Sequence, residues 1–306
     1  MTTDWTQRIR LRHLTILIEL AQSGNISQTA AALNMTQPGI SRWLKELEDD
    51  IGLSLFERHA RGLRPTSHGA VLVEHAHRIL ANLDVTKDDL DARHHEGGGI
   101  VRIGSTGAAT AETAPMAILD LLKHQPKTKV SLLEGTMDRL ISQLNLDQLD
   151  VVIGRSAPEI LNHEICFETL YLEPLLFIAK KNHPLTEKLT LSWEDILKYR
   201  WIIWPKNTPI RQNLEQALIA EQHVVPTDYI ESNSTLMNIT LLNNSDYISV
   251  ASARTAQRLC QLGAVDILNL SLSGQGSVSI FWKKDHNRPA ITKTLQAFRN
   301  VSAGQR

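Results

Sequence analysis

The sequence predicts an α/β protein in three parts: a small helical head ending in a hairpin, one long helix, and a large region of alternating strands and helices. Three observations predict it. Two short helical stretches broken by a turn, then a basic hairpin, fill Ser27 to Thr66. Apolar residues at alternating four-and-three spacing continue to about Arg93 and stop at Gly97-Gly98-Gly99. Beyond those glycines, apolar strand-like runs alternate with amphipathic helical runs to the C-terminus.

The head begins with a helix from about Leu11 to Ser23, with Leu14, Leu17, Ile18 and Ala21 on its apolar face and Gly24-Asn25 ending it as a left-handed cap. Arg8, Arg10 and Arg12 precede or open it and are either phosphate contacts or solvated charges. Ser27 is the expected N-cap of a short, Ala-rich helix, whose small residues let a second helix come close. Asn34-Met35 make the turn. Thr36 caps the next helix and Pro38 sits in its first turn, where a missing N–H costs nothing. Ile40, Trp43, Leu44, Leu47 and Ile51 then recur at helical spacing as a buried face. Gln37, Ser41, Arg42 and Lys45 open the other face, with donors and acceptors suited to base edges and phosphates. Any amphipathic surface helix carries polar residues on one side, so this face alone decides nothing. The next segment adds weight. Arg58, His59, Arg61 and Arg64 follow with no acid between Arg58 and Val73, and Gly62 and Pro65 shape a tight hairpin. A basic hairpin beside such a helix suits phosphate or minor-groove contact.

These residues carry a family resemblance. Ala30, Ala31 and Leu33; Thr36, Gln37, Pro38 and Ser41; and Leu47, Glu48, Gly52, Leu55, Phe56, Arg58, Thr66 and Gly69 follow the pattern of the N-terminal domain of LysR-type transcriptional regulators. The match is continuous over roughly the first fifth of the chain. Bulky Trp43 and the acidic step Asp49-Asp50 depart from it mildly. The resemblance implies a winged helix-turn-helix on double-stranded DNA. It also implies a linker helix that dimerises, and a two-lobed effector domain resembling type 2 periplasmic binding proteins. A tetramer built as a dimer of dimers, and RNA polymerase as a further partner, are implied as well.

Composition fits that picture. The chain has 306 residues, enough for two or three domains, and its 42% hydrophobic and 21% charged content is ordinary for a soluble globular protein. With a formal net charge of -1, any nucleic-acid contact must come from a local patch rather than bulk attraction. Cys166 and Cys260 are far apart and form no disulfide framework, which suits a reducing cytosol. Neither a signal peptide nor a membrane-spanning apolar run is visible, so a cytoplasmic location is expected. His75, His77, His94 and His95 lack a supporting carboxylate or Cys cluster and are not read as a metal site, and no cofactor is expected.

The long helix is expected from Ser67 or His68 to about Arg93. Leu72, Ala76, Ile79, Leu83 and Leu90, with Thr86 in the remaining slot, form a heptad seam. Its partner is either the chain's own core or the same helix of a second copy, and the flanking run Asp84, Lys87, Asp88, Asp89 and Asp91 favours the second copy. Two copies would set two heads on major grooves about one helical turn apart, or a multiple of that.

The expected domains are residues 1–67, 68–96 and 97–306, with lobe one at about 100–163 and 268–306 and lobe two at about 164–267. Glu168–Ala179 reads as one strand, and the alternation reads as parallel sheet wound with helices. Ligands in such folds sit at the carboxyl ends of strands. Four polar turns occur there: Gly104-Ser105-Thr106-Gly107, Gly135-Thr136, Asn207-Thr208 and Ser232-Asn233-Ser234. Each is either plain helix capping or a set of N–H and hydroxyl donors for an anion. Arg155 could pair with that anion, and Trp204 either lines the pocket or belongs to the core. The candidate effector contacts are therefore Ser105, Thr106, Gly135, Thr136, Arg155, Asn207, Thr208, Ser232 and Asn233.

No nucleotide fingerprint, nucleophile elbow or paired catalytic carboxylates appear, so no enzyme is expected. The reading is a sequence-specific, homo-oligomeric DNA-binding regulator controlled by a small, anionic effector. Its alternative is a solute-binding or small-molecule-processing protein whose N-terminal helices serve only oligomerisation.

Overall fold

A computed structural model of the chain describes residues 5–59, 62–94, 99–155, 163–206, 208–272, 276–286 and 288–303. Arg61, Gly97, Gly98 and Asn207, all singled out from the sequence, lie outside the described residues. The chain divides into two compact units, Met1–Asp91 with Leu146–Gln148, and Ala92–Asn145 with Leu149–Arg306. Among the described residues no helix is long and apolar enough to cross a membrane.

In the first unit, α1 (Leu11–Ser23), α2 (Ile26–Ala32) and α3 (Gln37–Ile51) precede a hairpin of β1 (Phe56–His59) and β2 (Gly62–Pro65), and α4 (Ser67–His94) follows. Ile16, Leu17, Leu20, Ile40, Leu44, Leu47, Leu55 and Phe56 form the core, with Trp43 and Ile51 packed partly buried against it. Gly24, at φ 61°, ends α1 in the left-handed conformation expected of it. The cap of α2 is Asn25 rather than Ser27: its side chain accepts from the N–H groups of Ser27 and Gln28. Asn25 wins because the chain leaves the Gly24 cap extended, so the first polar side chain after it meets the free N–H groups. Thr36 caps α3 as expected, its hydroxyl accepting from the Gly39 N–H at 3.3 Å.

The motif residues downstream act as a clamp between α3, the hairpin and α4. The Glu48 carboxylate accepts from the backbone N–H groups of Leu55 (2.7 Å) and Phe56 (3.0 Å), satisfying donors at the hairpin entry. Thr66 donates its hydroxyl to the Ser54 carbonyl at 2.7 Å and accepts from the Gly69 N–H at 3.1 Å, which starts α4. At Gly69 a Cβ would stand 1.9 Å from the Leu55 carbonyl oxygen, so only glycine lets helix and hairpin approach.

The second unit contains β3 (Ile100–Ser105), α5 (Gly107–Thr110), α6 (Thr113–His124), β4 (Lys129–Glu134), α7 (Met137–Asn145), β5 (Val151–Arg155), β6 (Ile165–Glu173), β7 (Leu175–Ala179), α8 (Trp193–Ile196), β8 (Trp201–Ile203), α9 (Pro209–Ala220), β9 (Tyr229–Glu231), α10 (Thr235–Asn243), β10 (Ile248–Ser252), α11 (Ala253–Gln261), β11 (Asp266–Ser271), β12 (Gly276–Lys283) and α12 (Pro289–Ala303). Two five-stranded sheets result, ordered β4-β3-β5-β12-β6 and β11-β7-β10-β8-β9. Each is the centre of one lobe, with its own apolar core.

Two expectations need correction. The Glu168–Ala179 run is two strands, β6 in the first sheet and β7 in the second, with Pro174 between them. Pro174 has no N–H to give a ladder, so one sheet ends and the other begins there. The crossings between lobes therefore fall at Pro174 and between Ser271 and Gly276, rather than near residues 164 and 268. Nor are the sheets wholly parallel: β3 pairs parallel with β4 and β5, and β8 with β9 and β10, but β12 and β7 run antiparallel to their neighbours. Those antiparallel strands flank the crossings, where the chain enters a lobe from the opposite direction.

Substituting Gly69→Ala should destabilise the protein by about 1–3 kcal/mol through overpacking against Leu55, read as a lower urea midpoint of the first unit's transition.

Candidate functional site

Within the first unit, α3 buries Ile40, Leu44 and Leu47 and turns Thr36, Gln37, Pro38, Arg42 and Lys45 to solvent, with Ser41 half-buried beside them. Gln37 donates to Ser41 at 3.2 Å, and the Arg42 Nε donates to Glu46 at 2.8 Å one turn along the same helix. These pairs pre-order the side chains without tying them to other elements. The face is thus an exposed set of donors and acceptors on a rigid helix.

The hairpin register puts Arg58 opposite Leu63 and Arg64 opposite Glu57. Side chains alternate along a strand, so Arg58 and Arg64 project from opposite faces of the ribbon. Glu57 meanwhile pairs with His59 at 2.8 Å. Arg58 and Arg64 are two exposed cations on either side of a thin blade. Arg8 has a partner that neither alternative named: its guanidinium pairs with Asp50 at 2.9 Å, linking the segment before α1 to the end of α3. The acidic step after the polar helix face is thereby half neutralised.

Along α4 the apolar seam divides. Leu72 and Val73 pack on the head's own core, and Ala76 is fully buried. Ile79, Leu83 and Leu90 remain 46%, 41% and 62% exposed, too apolar a row for a helix meant to face water alone.

In the second unit, a cleft of about 1090 Å³ opens between the lobes at the carboxyl ends of the strands. Of the residues expected there, Thr106, Gly135, Thr136, Arg155, Thr208 and Asn233 line it. Ser105 does not: it is fully buried and its hydroxyl bonds to Thr110 at 3.0 Å. Ser232 is also absent from the lining, and its hydroxyl accepts from the Ser234 N–H at 3.2 Å. Both are turn residues whose strand pleat points them away from the opening. Trp204 does line the cleft, held by its Nε1, which donates to the Val250 carbonyl at 3.0 Å. Glu134, Lys206, Gln212 and Thr235 line it too. Sequence reasoning missed these four: Glu134 ends β4, Lys206 follows β8, and Gln212 and Thr235 lie in the first turns of α9 and α10, where a lone polar residue looks like ordinary solvated surface.

Arg155 is the most unusual member. It is 3% exposed, and its Nη2 donates to the carbonyl of Glu173 and, at 3.4 Å, of Pro174. Its Nε and Nη1 are buried without a hydrogen-bond partner among the described residues. Burial pulls its pKa down to about 10, against the opposing pull of the Glu173 carboxylate. The second crossing also touches it: a Cβ on Gly276 would fall 1.8 Å from Nη1. Arg155 therefore sits on the cleft wall and against both crossing segments.

Glu173 is 1% exposed, and burial raises its pKa. It accepts from the Arg254 N–H at 2.9 Å and pairs with the Arg254 Nε at 3.4 Å. The Arg254 guanidinium lies 3.8 Å from the centre of the Tyr171 ring and 3.5 Å from Glu112. Tyr171 in turn bonds to Thr113 at 2.7 Å, and burial pushes its pKa up to about 12. Arg254 is on lobe two, whereas Glu112, Thr113 and Tyr171 are on lobe one, so this buried charge cluster fastens the lobes at their crossing.

Comparison with known proteins decides the family. Residues 94–303 match the LysR substrate binding domain, and residues 11–70 match the bacterial regulatory helix-turn-helix protein, lysR family. The chain belongs to the LysR family. LysR-family members are transcriptional regulators that join a DNA-binding helix-turn-helix to an effector-binding domain, and this chain has both. Its relatives include the transcriptional regulator GbpR of Azospirillum brasilense, 29% identical over 96% of this chain and 87% of that protein. Another is the uncharacterized regulator YdcI of Escherichia coli (strain K12), 30% identical over 80% of this chain and 79% of that protein. Among solved structures, full-length CbnR complexed with its target DNA shares the fold at a TM-score of 0.71, with 19% identity over 96% of this chain and 100% of that one. Full-length BenM does so at 0.56, with 20% identity over 97% and 98%.

In this LysR-family chain the charge cluster should be a major stabiliser of the second unit. Glu173→Gln takes the buried carboxylate away from Arg254 and Arg155 and should cost on the order of 3 kcal/mol. Combining it with Arg254→Met should cost less than the two single losses added, as a double-mutant cycle in urea would measure.

Proposed function

We propose that the chain reads its DNA sites through Thr36, Gln37, Pro38, Ser41, Arg42 and Lys45 in the major groove. Arg58, Arg61 and Arg64 hold the backbone or minor groove. The exposed row Ile79, Leu83 and Leu90 pairs with its copy in a second subunit, and two such dimers form a tetramer. RNA polymerase is the further partner at promoters, and the protein acts in the cytoplasm. The effector is a small anion received in the cleft. The buried guanidinium of Arg155, with Nε and Nη1 unpartnered at the cleft wall, is the observation that carries this. Buried N–H groups without acceptors are costly even with Glu173 near by, and a ligand carboxylate would satisfy them. Because Arg155 also bonds to the carbonyls at the first crossing, occupancy would bias the angle between lobes. That bias passes to the paired linker helices and alters the spacing of the two reading heads.

On the DNA upstream of the protein's own gene, Arg42→Ala should weaken site-specific binding by about 1–3 kcal/mol in gel shifts and leave random-duplex binding nearly unchanged. An equal loss on both duplexes would remove Arg42 from base reading. Lys45→Ala should instead lower the salt slope of binding by about one. Ile79→Asp with Leu83→Asp should yield monomers in sedimentation velocity while α4 still forms, measured by circular dichroism.

A further inference from the structure

The groups lining the cleft differ in whether their hydrogen-bonding capacity is already used. Thr208 accepts from the Arg211 N–H at 3.3 Å, and Ser234 from the Met237 N–H at 3.3 Å, so both are spent on helix caps. The Asp138 carboxylate, at the start of α7, is held below the usual carboxylate range first by the Thr136 hydroxyl, so that pair is occupied too. What remains open is a different set. The Thr106 hydroxyl is buried with no partner, although Thr106 stands at a cap position where Thr36, Thr208 and Ser234 all bond to backbone N–H groups. Glu134, Lys206, Gln212, Asn233 and Thr235 make no side-chain hydrogen bond or ion pair among the described residues. Arg155 keeps two buried nitrogens open.

The unfilled set is therefore two cations, one carboxylate and several hydroxyl or amide groups able both to give and to accept. A simple carboxylic acid would answer Arg155 and leave Glu134 and the amides facing apolar carbon. A dicarboxylate could set its second charge on Lys206, but it has no O–H to give to Glu134, whose own charge it would oppose. A neutral polyol would offer the two open Arg155 nitrogens only uncharged acceptors, which bind a guanidinium more weakly than a carboxylate does. A molecule with one anionic group and several hydroxyls answers all of them, since a hydroxyl can accept from Lys206 as well as donate to Glu134. The cleft also holds an apolar surface for such a molecule. At Gly107 the point where a Cβ would stand is 3.6 Å from the Glu134 Oε1, 3.8 Å from the Trp204 ring edge and 4.0 Å from the Thr235 hydroxyl. A carboxylate, a hydroxyl and a fixed indole thus converge on one small volume left open by a missing side chain. Hydroxyls directed at Glu134 and Thr235, with C–H groups against Trp204, would fill it.

We propose that the effector is a polyhydroxylated monocarboxylic acid of sugar size, an aldonic or uronic acid, with its carboxylate at Arg155 and its hydroxyls at Glu134, Thr235 and Thr106. This rests on the anionic-effector reading given above and narrows it. Glu134 is the specificity-determining residue, because it alone in the open set can only accept.

The test uses the full-length protein and thermal shift, since a ligand that binds only the folded state raises the melting temperature by mass action. Gluconate, galactonate, glucuronate and galacturonate form one arm. Hexanoate and adipate are deoxygenated acids of matching length, glucose and galactose are neutral sugars, and glutamine supplies an ammonium donor in place of hydroxyls. At least one of the four sugar acids should raise the melting temperature, with a Kd at least tenfold below every other probe. Glu134→Gln should weaken that acid about tenfold and strengthen adipate, while Gly107→Val, which fills the shared volume, should abolish binding with the fold intact by circular dichroism. If hexanoate, adipate or glutamine binds and the sugar acids do not, the hydroxyl assignment is overturned and the anionic cleft stands. If a neutral sugar binds best, or no acid binds at all, the anionic reading falls with it.

Discussion

Two lobes joined by two strands of chain need something at the joint that resists free swinging without welding it shut. Here that constraint is a buried carboxylate between two guanidiniums. Glu173 lies at the first crossing, holds Arg254 from lobe two, and is faced by Arg155 from lobe one. Such clusters stabilise only when their geometry is complete, because desolvation costs each member heavily. The joint therefore favours a definite arrangement of lobes. It is also sensitive to any new charge that enters beside it. The cleft opens on Arg155, so a charged ligand held in the cleft would alter the balance of the cluster.

The head is organised on a different principle. Its three helices pack through small and branched residues, but the wing is placed by polar contacts. Glu48 satisfies two backbone donors at the hairpin entry, and Thr66 joins the hairpin exit to the start of α4. Arg8 reaching Asp50 closes the other side. As a result α3 presents its polar face from a frame fixed at both ends, which is what a reading surface requires if side-chain positions are to discriminate between bases.

Much of this was legible in the residues. Gly24, Thr36 and Pro38 mark helix ends by backbone chemistry alone, and the structure places those ends as expected. The family motif carried the head, and strand–helix alternation carried the two-lobed domain. Less legible was whatever depends on contacts distant in sequence. Ser27 and Asn25 are both good caps, and only the chain direction after Gly24 chooses between them. The two sheets could not be separated at Pro174, because apolar alternation continues across it and sheet membership is decided by partners far along the chain. Ser105 and Ser232 look like Thr106 and Asn233 in a one-dimensional reading; the pleat turns one of each pair inward. That Arg58 and Arg64 point to opposite sides of the wing follows from the strand register, which residue order alone does not display. Glu134 and Lys206 were invisible because a charge at or just past a strand end is normally solvated, and only the other lobe makes them walls.

The glycine at position 69 has a mechanical consequence. With the Leu55 carbonyl filling the space a side chain would need, the first turn of α4 and the base of the wing share one seam and have no room to slide. Torque applied along α4 cannot be absorbed where it meets the head. It must turn the blade and the helix beside it together, so the long helix behaves as a lever whose short arm is the wing.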